Sequence, residues 1–151
     1  FIGIDVKGDR LAAGGRQAES MQLKNVAFLR IQIQFIEDFF LPNEIDEIWI
    51  TFADPQPQIS RERKRLTSPF FLSKYKVLLR DGGKINLKTD NDGLYGYTKE
   101  KVAELELITH KDTDHLYQSD LVDEVLSIKT HYENIYLKKD KNINYIQFSF
   151  N

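Results

Sequence analysis

In residues 44–57, Glu44-Ile45-Asp46-Glu47-Ile48-Trp49-Ile50-Thr51-Phe52-Ala53-Asp54-Pro55-Gln56-Pro57, an apolar run stops at an acid followed by two closely spaced prolines. Ile45, Ile48, Trp49, Ile50 and Phe52 have the composition of a buried strand. Pro55 biases Asp54 toward an extended backbone, which holds its carboxylate in a fixed direction. Two roles fit an acid placed in this way: a functional carboxylate at the carboxyl end of a strand, or the aspartate of a rigid turn.

Downstream, the spacing predicts a helix that starts near Thr67-Ser68 with Pro69 in its first turn. Phe71, Leu72, Tyr75, Leu78 and Leu79 form its apolar stripe, and Asp81-Gly82-Gly83 is expected to end it. Lys84 to Thr89 alternates like a strand and leads into Asp90, and Asp92 to Leu107 reads as a helix. The chain is expected to close with a β-hairpin. Its arms would be Asn134-Ile135-Tyr136-Leu137 and Tyr145-Ile146-Gln147-Phe148, joined by the polar link Lys138 to Asn144. Upstream, Ile33 to Phe40 suits a short helix and Asn25 to Arg30 is β-prone. Gly8 to Gln22 is helical in pattern, although Gly14-Gly15 weakens it. Phe1-Ile2-Gly3-Ile4-Asp5 reads as the inside of a strand. Strand and helix thus alternate, which predicts an α/β fold with a mostly parallel sheet and a C-terminal antiparallel hairpin. Ligands of such sheets sit at the carboxyl ends of strands. Asp5, Asp54 and Asp90 fall at three of those ends and suggest one polar edge.

The chain has 151 residues, with 21 Lys plus Arg against 23 Asp plus Glu and a net charge of -2. A polycation wrapping nucleic acid is excluded, while a local basic patch is not. With no cysteine, disulfide scaffolds, thiolate metal sites and cysteine nucleophiles are excluded. No apolar run is long enough to span a membrane. The local patch exists: residues 57–65 carry Arg61, Arg63, Lys64 and Arg65 against the single acid Glu62. Arginine forks suit phosphate oxygens, although a run of charge also serves simply as a solvated face. Residues 99–124 hold three basic and eight acidic groups, a face that should avoid phosphates. His110, His115 and His131 lack tight metal-ligand spacing, so no metal is expected. An acid after a strand, as at Asp5, either accepts hydrogen bonds from a ribose diol or caps the next helix. Thr130-His131-Tyr132-Glu133 carries no chemistry that is legible by itself.

Together these segments resemble the bacterial tRNA (guanine-N7)-methyltransferase family, class I enzymes of Rossmann-like fold that use S-adenosyl-L-methionine (SAM). The family signature is a strand running into Phe-Pro-Asp-Pro-Trp-Pro-Lys, then a basic stretch and Lys-Arg-Arg-Leu. Here it reads Phe52-Ala53-Asp54-Pro55-Gln56-Pro57-Gln58, then Arg63-Lys64-Arg65-Leu66. The following helix, Gly-Gly turn and strand ending in Thr-Asp match Phe70 to Leu79, Gly82-Gly83 and Thr89-Asp90. The late Thr-x-(Phe/Tyr)-Glu matches Thr130-His131-Tyr132-Glu133, and Gly3-Ile4-Asp5 matches the second strand with its ribose-binding acid.

The resemblance implies methylation of guanine N7 in the variable loop of tRNA, in a single methyltransferase domain spanning 1–151. It implies that Asp54 is catalytic and that Asp5, Gln32 and Asp54 meet SAM. It also implies that Gln58, Asp90, Thr130, Glu133, Arg61, Arg63, Lys64 and Arg65 meet the tRNA. The first strand of the family and its glycine-rich SAM loop would precede residue 1, so the domain is expected to be N-terminally incomplete. There are further departures: Gln32 replaces an acid, Ala53 a proline, Gln56 a tryptophan and Gln58 a lysine. They leave two alternatives, a SAM methyltransferase of another substrate or a catalytically silent RNA-binding subunit. A cytoplasmic monomer or homodimer, with no membrane association, is expected.

Overall fold

A computed structural model describes all residues, Phe1–Asn151. The chain divides into two compact units, Phe1–Leu41 and Pro42–Asn151.

In the first unit, β1 (Ile2–Asp5) is followed by α1 (Gly8–Ser20), β2 (Ala27–Arg30) and a 3₁₀ turn over Ile33–Asp38. β1 and β2 pair in parallel, with Gly3 opposite Phe28 and Asp5 opposite Arg30. The glycines that weaken α1 as a sequence have a packing reason. A Cβ on Gly14 would lie 2.8 Å from the Phe28 ring, and one on Gly3 would lie 2.9 Å from it. Both glycines leave room for the Phe28 ring, which a side chain at either position would displace.

The second unit contains β3 (Ile45–Thr51), a 3₁₀ helix (Ile59–Lys64), α2 (Pro69–Leu78) and β4 (Leu79–Thr89). These are followed by α3 (Asp92–Glu104), β5 (Ile108–Thr113), α4 (His131–Leu137) and β6 (Asn144–Ser149). The sheet order is β3-β4-β6-β5. β3 and β4 are parallel, whereas β6 runs antiparallel to both β4 and β5. The chain is α/β as expected, but its strand pairs divide evenly between parallel and antiparallel, so the sheets are mixed rather than mostly parallel.

Two local expectations are corrected. The Gly82-Gly83 pair does not end α2; the helix ends at Leu78 and the chain turns straight into β4. The glycines serve a bulge instead. Ile45 faces Leu79 while Glu47 already faces Lys84, and Gly82 at φ +73° allows the extra residues to loop out. The expected hairpin is also absent. Asn134–Leu137 belongs to α4, because Thr130 and Glu133 form a capping box in which each side chain bonds the other residue's backbone N–H. That start signal outweighs the β-propensity of Ile135-Tyr136. β6 takes as its partners β4 and the strand β5, which the sequence pattern hides under polar residues.

The core joins α2, β4 and β6. Leu72, Tyr75, Leu78, Ile85, Leu87, Ile146 and Phe148 are all buried, and each aliphatic or Phe side chain among them contributes about 1.5–3 kcal/mol. A second cluster, Leu116, Leu126, Ile143 and Tyr145, receives Phe52, Tyr117 and Tyr136 at its edge. No helix is long and apolar enough to cross a membrane.

Candidate active site

Because β3 and β4 are parallel neighbours, Asp54 and Asp90 follow the same end of the sheet, and Phe52 N–H donates to the Lys88 carbonyl there at 2.9 Å. Asp54 is exposed, and its Oδ1 accepts the Gln56 N–H at 3.1 Å, closing a tight turn. The turn is strained on both sides of the acid: Phe52 has φ +52° and Gln56 has φ +44°. An aromatic or long side chain in that region costs on the order of 1–3 kcal/mol and persists only where surroundings enforce it. The Phe52 ring is anchored by stacking on Tyr136 with centroids 5.8 Å apart. Gln56 Oε1 is buried without a partner.

Asp90 is 14% exposed and its Oδ2 pairs with Lys141 Nζ at 2.7 Å. The hydrogen bond to Asp90 pushes the Lys141 ammonium above its ordinary pKa. Neither Asp90 nor Asp92 caps α3: the Asn91 side chain does, accepting the Leu94 N–H at 2.8 Å. Asp92 instead accepts from Asn144 Nδ2 at 2.9 Å, so the start of β6 is tied to the same strand end. Lys141 is missing from the sequence-derived set, since nothing local links the polar link Lys138–Asn144 to Asp90.

The basic stretch is not uniform. Arg61 and Lys64 are exposed on the 3₁₀ helix, as is Gln58 just before it. The Arg63 guanidinium lies 4.2 Å from the centre of the Phe70 ring. Arg65 turns toward the Asp54 turn, donating from Nε to the Gln56 carbonyl at 3.1 Å and from Nη2 to the Pro57 carbonyl at 3.4 Å.

Glu133 is fully buried. Its Oε1 pairs with Lys88 Nζ at 2.7 Å and accepts the Tyr117 hydroxyl at 2.5 Å, while its Oε2 accepts the Thr130 N–H at 3.1 Å. Burial, and then the bond to Glu133, push the Tyr117 hydroxyl well above its ordinary pKa, so it stays a donor. Lys88 is also buried and reaches the Leu126 and Ile128 carbonyls at 3.2 and 3.4 Å. Thr130 Oγ1 accepts the Glu133 N–H at 3.1 Å. Glu133 therefore fixes Thr130 and the start of α4 rather than presenting an open carboxylate. Sequence reasoning missed Lys88 and Tyr117; the one available signal was a lysine amid the apolar alternation of β4.

In the first unit, Asp5 ends β1 as expected. Its Oδ1 accepts the Lys7 N–H at 2.9 Å and its Oδ2 lies 3.5 Å from Arg10 Nη1. A cleft of about 600 Å³ opens among Val6, Arg30, Ile31, Gln32, Phe35, Asp38 and Phe39. Gln32 is exposed on its rim, accepting from Gln34 Nε2 at 2.8 Å. Ile31, Phe35 and Phe39 give the cleft apolar wall, and Arg30, Gln32 and Asp38 add polar groups around it; such a lining suits a flat heterocycle with hydrogen-bonding edges, and a carboxylate one strand away suits a diol.

The profile of the family described as "Putative methyltransferase" matches residues 1–146. The tRNA (guanine-N(7)-)-methyltransferase of Bacteroides thetaiotaomicron is 45% identical over 148 residues, which cover 98% of this chain and 58% of that protein. That of Porphyromonas gingivalis is 46% identical over 149 residues, 98% of this chain and 60% of the relative. The chain thus spans somewhat under two thirds of the length of these relatives. Among solved structures, a SAM dependent methyltransferase from Aquifex aeolicus superposes with a TM-score of 0.58, at 11% identity, over 97% of this chain and 66% of its own; at that identity the likeness concerns the fold. From Phe1 to Ile146, then, the chain belongs to the methyltransferase family that includes the tRNA (guanine-N(7)-)-methyltransferases.

Proposed function

We propose that the protein transfers a methyl group from S-adenosyl-L-methionine to N7 of a guanine in the variable loop of tRNA. The observation that carries this reading is the pairing of Asp54 and Asp90 at the ends of two parallel neighbouring strands, in a chain 45% and 46% identical to relatives named for that reaction. Both units are read as parts of one methyltransferase domain, since the family profile runs through both. The protein would act in the cytoplasm as a monomer or homodimer.

The residues of the first unit fit the cofactor: Asp5 would take the ribose hydroxyls, and the cleft bounded by Gln32 and Phe35 the adenine. Bound there, SAM supplies an electrophilic methyl on a sulfonium. Guanine N7 already carries a lone pair, so its methylation needs no general base, only alignment. The product purine is cationic. Asp54 and Asp90 accept the N1 and N2 hydrogens of guanine and stabilise the positive charge that develops on the ring. Asp90 must share its carboxylate with Lys141 while doing so. Arg61, Arg63 and Lys64 offer cations to the tRNA backbone. Gln58, neutral where the family has lysine, contributes a hydrogen bond without charge. Thr130, held in place by Glu133, would complete the substrate site.

Incubating the protein with SAM and unmodified tRNA should yield 7-methylguanosine on nucleoside analysis. Methyl transfer to another nucleoside or to protein would overturn the substrate assignment, and tRNA binding without SAM binding would favour a silent subunit. Within this reading, Asp5→Ala should weaken SAM binding by roughly 1–3 kcal/mol through the loss of the hydroxyl acceptor. Calorimetric titration with SAM checks this; an unchanged affinity in a folded variant removes Asp5 from the site.

A further inference from the structure

We propose that Arg65 is the positioning residue of Asp54: it does not hold phosphate but clamps the strained turn that carries the acid. The turn has non-glycine residues at positive φ on either side of Asp54, Phe52 at +52° and Gln56 at +44°. Such a backbone relaxes unless it is held from outside. On the Phe52 side the restraints are the bond to the Lys88 carbonyl and the stack on Tyr136. On the Gln56 side, beyond the bond that Gln56 N–H makes to Asp54 itself, the contacts come from Arg65, whose Nε and Nη2 grip two successive carbonyls, Gln56 and Pro57. The guanidinium is fixed in turn by lying 4.3 Å from the centre of the ring of Tyr97, a buried residue of α3. A planar fork that stacks and donates along two directions is an arginine property that lysine does not share.

The contrast within the basic stretch supports the assignment. Arg61 and Lys64 are exposed, while Arg65 is half-buried with two of its donor groups committed to the backbone. Charge density alone made these residues look equivalent. The assignment of the turn to Arg65 stands on geometry; its consequence for catalysis rests on the proposed function.

The test compares Arg65→Ala, Arg65→Lys and the double variant Arg61→Ala/Lys64→Ala in the intact protein. Amide hydrogen exchange at Gln56, whose N–H is held by Asp54 Oδ1, should rise about five- to tenfold in Arg65→Ala, the factor expected for roughly one net hydrogen bond. Arg65→Lys should not restore it; should the alanine variant not fold, the lysine variant, which keeps charge and stem, carries the same measurement. Methyl transfer should show a lowered kcat with the KM for SAM unmoved. The slope of log tRNA affinity against log salt should be unchanged in Arg65→Ala, and reduced by roughly one unit per lost contact in Arg61→Ala/Lys64→Ala. A reduced slope in Arg65→Ala, with unaltered exchange in the turn, overturns the proposal and makes Arg65 a phosphate ligand. Raised exchange in a protein that never methylates tRNA upholds the clamp and overturns the proposed function instead.

Discussion

Replacing Glu133 by alanine should cost the protein about 3–5 kcal/mol of stability, the range seen when one partner of a buried ion pair is removed. Lys88 Nζ would be left in the interior, 3% exposed, facing only the Tyr117 hydroxyl and two backbone carbonyls. The same change removes half of the capping box that starts α4 and the acceptor of the Tyr117 hydroxyl. These losses share one carboxylate, so they do not add as independent terms. Thermal unfolding should show Tm falling by roughly 10 °C. Lys88→Met should be damaging for the converse reason, leaving the carboxylate unpaired. The double variant Lys88→Met/Glu133→Leu should lose clearly less than the sum of Lys88→Met and Glu133→Leu measured singly, because no lone charge stays buried. Additive losses would show that the two groups do not stabilise each other. A Glu133→Ala protein with unchanged Tm and abolished methylation would return Glu133 to the substrate site as a direct ligand.

Asp54→Asn should lower turnover on tRNA by roughly 10²–10³-fold, the range found when a preorganised electrostatic contact to a developing charge is removed. Asparagine keeps an oxygen that can accept the Gln56 N–H, so the turn closed by that 3.1 Å bond survives. What disappears is the negative charge that balances the cationic purine. SAM affinity should move little and Tm should stay within about a degree or two of the parent, since Asp54 is exposed. Asp54→Ala removes both charge and turn bond, and should add backbone mobility at Gln56 to the same loss of turnover. Normal turnover in Asp54→Asn would sink the catalytic role of the carboxylate and leave the acid as a turn former.

Several elements were legible because their signals are local. The dense β-branched and aromatic run at 45–52 announced a strand, but not the buried one expected: β3 lies at the end of the order β3-β4-β6-β5 and buries only Ile50. Pro69 marked the first turn of α2, and Thr89-Asp90 the end of β4. The acids after β1, β3 and β4 lie where that pattern put them. The α4 start was also written locally, in Thr130 and Glu133, but the capping-box spacing was overshadowed by the β-prone residues after it. The glycines were misjudged for the opposite reason. Gly82-Gly83 looked like a helix end, whereas the register of β3 against β4 uses them in a bulge.

By itself the sequence determined the α/β class, the strand ends that carry Asp5, Asp54 and Asp90, and the density of charge after Asp54, because these follow from backbone sterics, side-chain period and composition over a few residues. Tertiary structure alone decided that β6 lies between β4 and β5, that Lys141 sits on Asp90, that Lys88 and Glu133 are one buried pair, and that Arg65 faces its own turn while Arg61 and Lys64 face water. The physical reason is common to all four. Each depends on which faces the packed sheet and helices bury, and a charged side chain reads the same in sequence whether the partner that makes its burial tolerable lies two residues away or fifty.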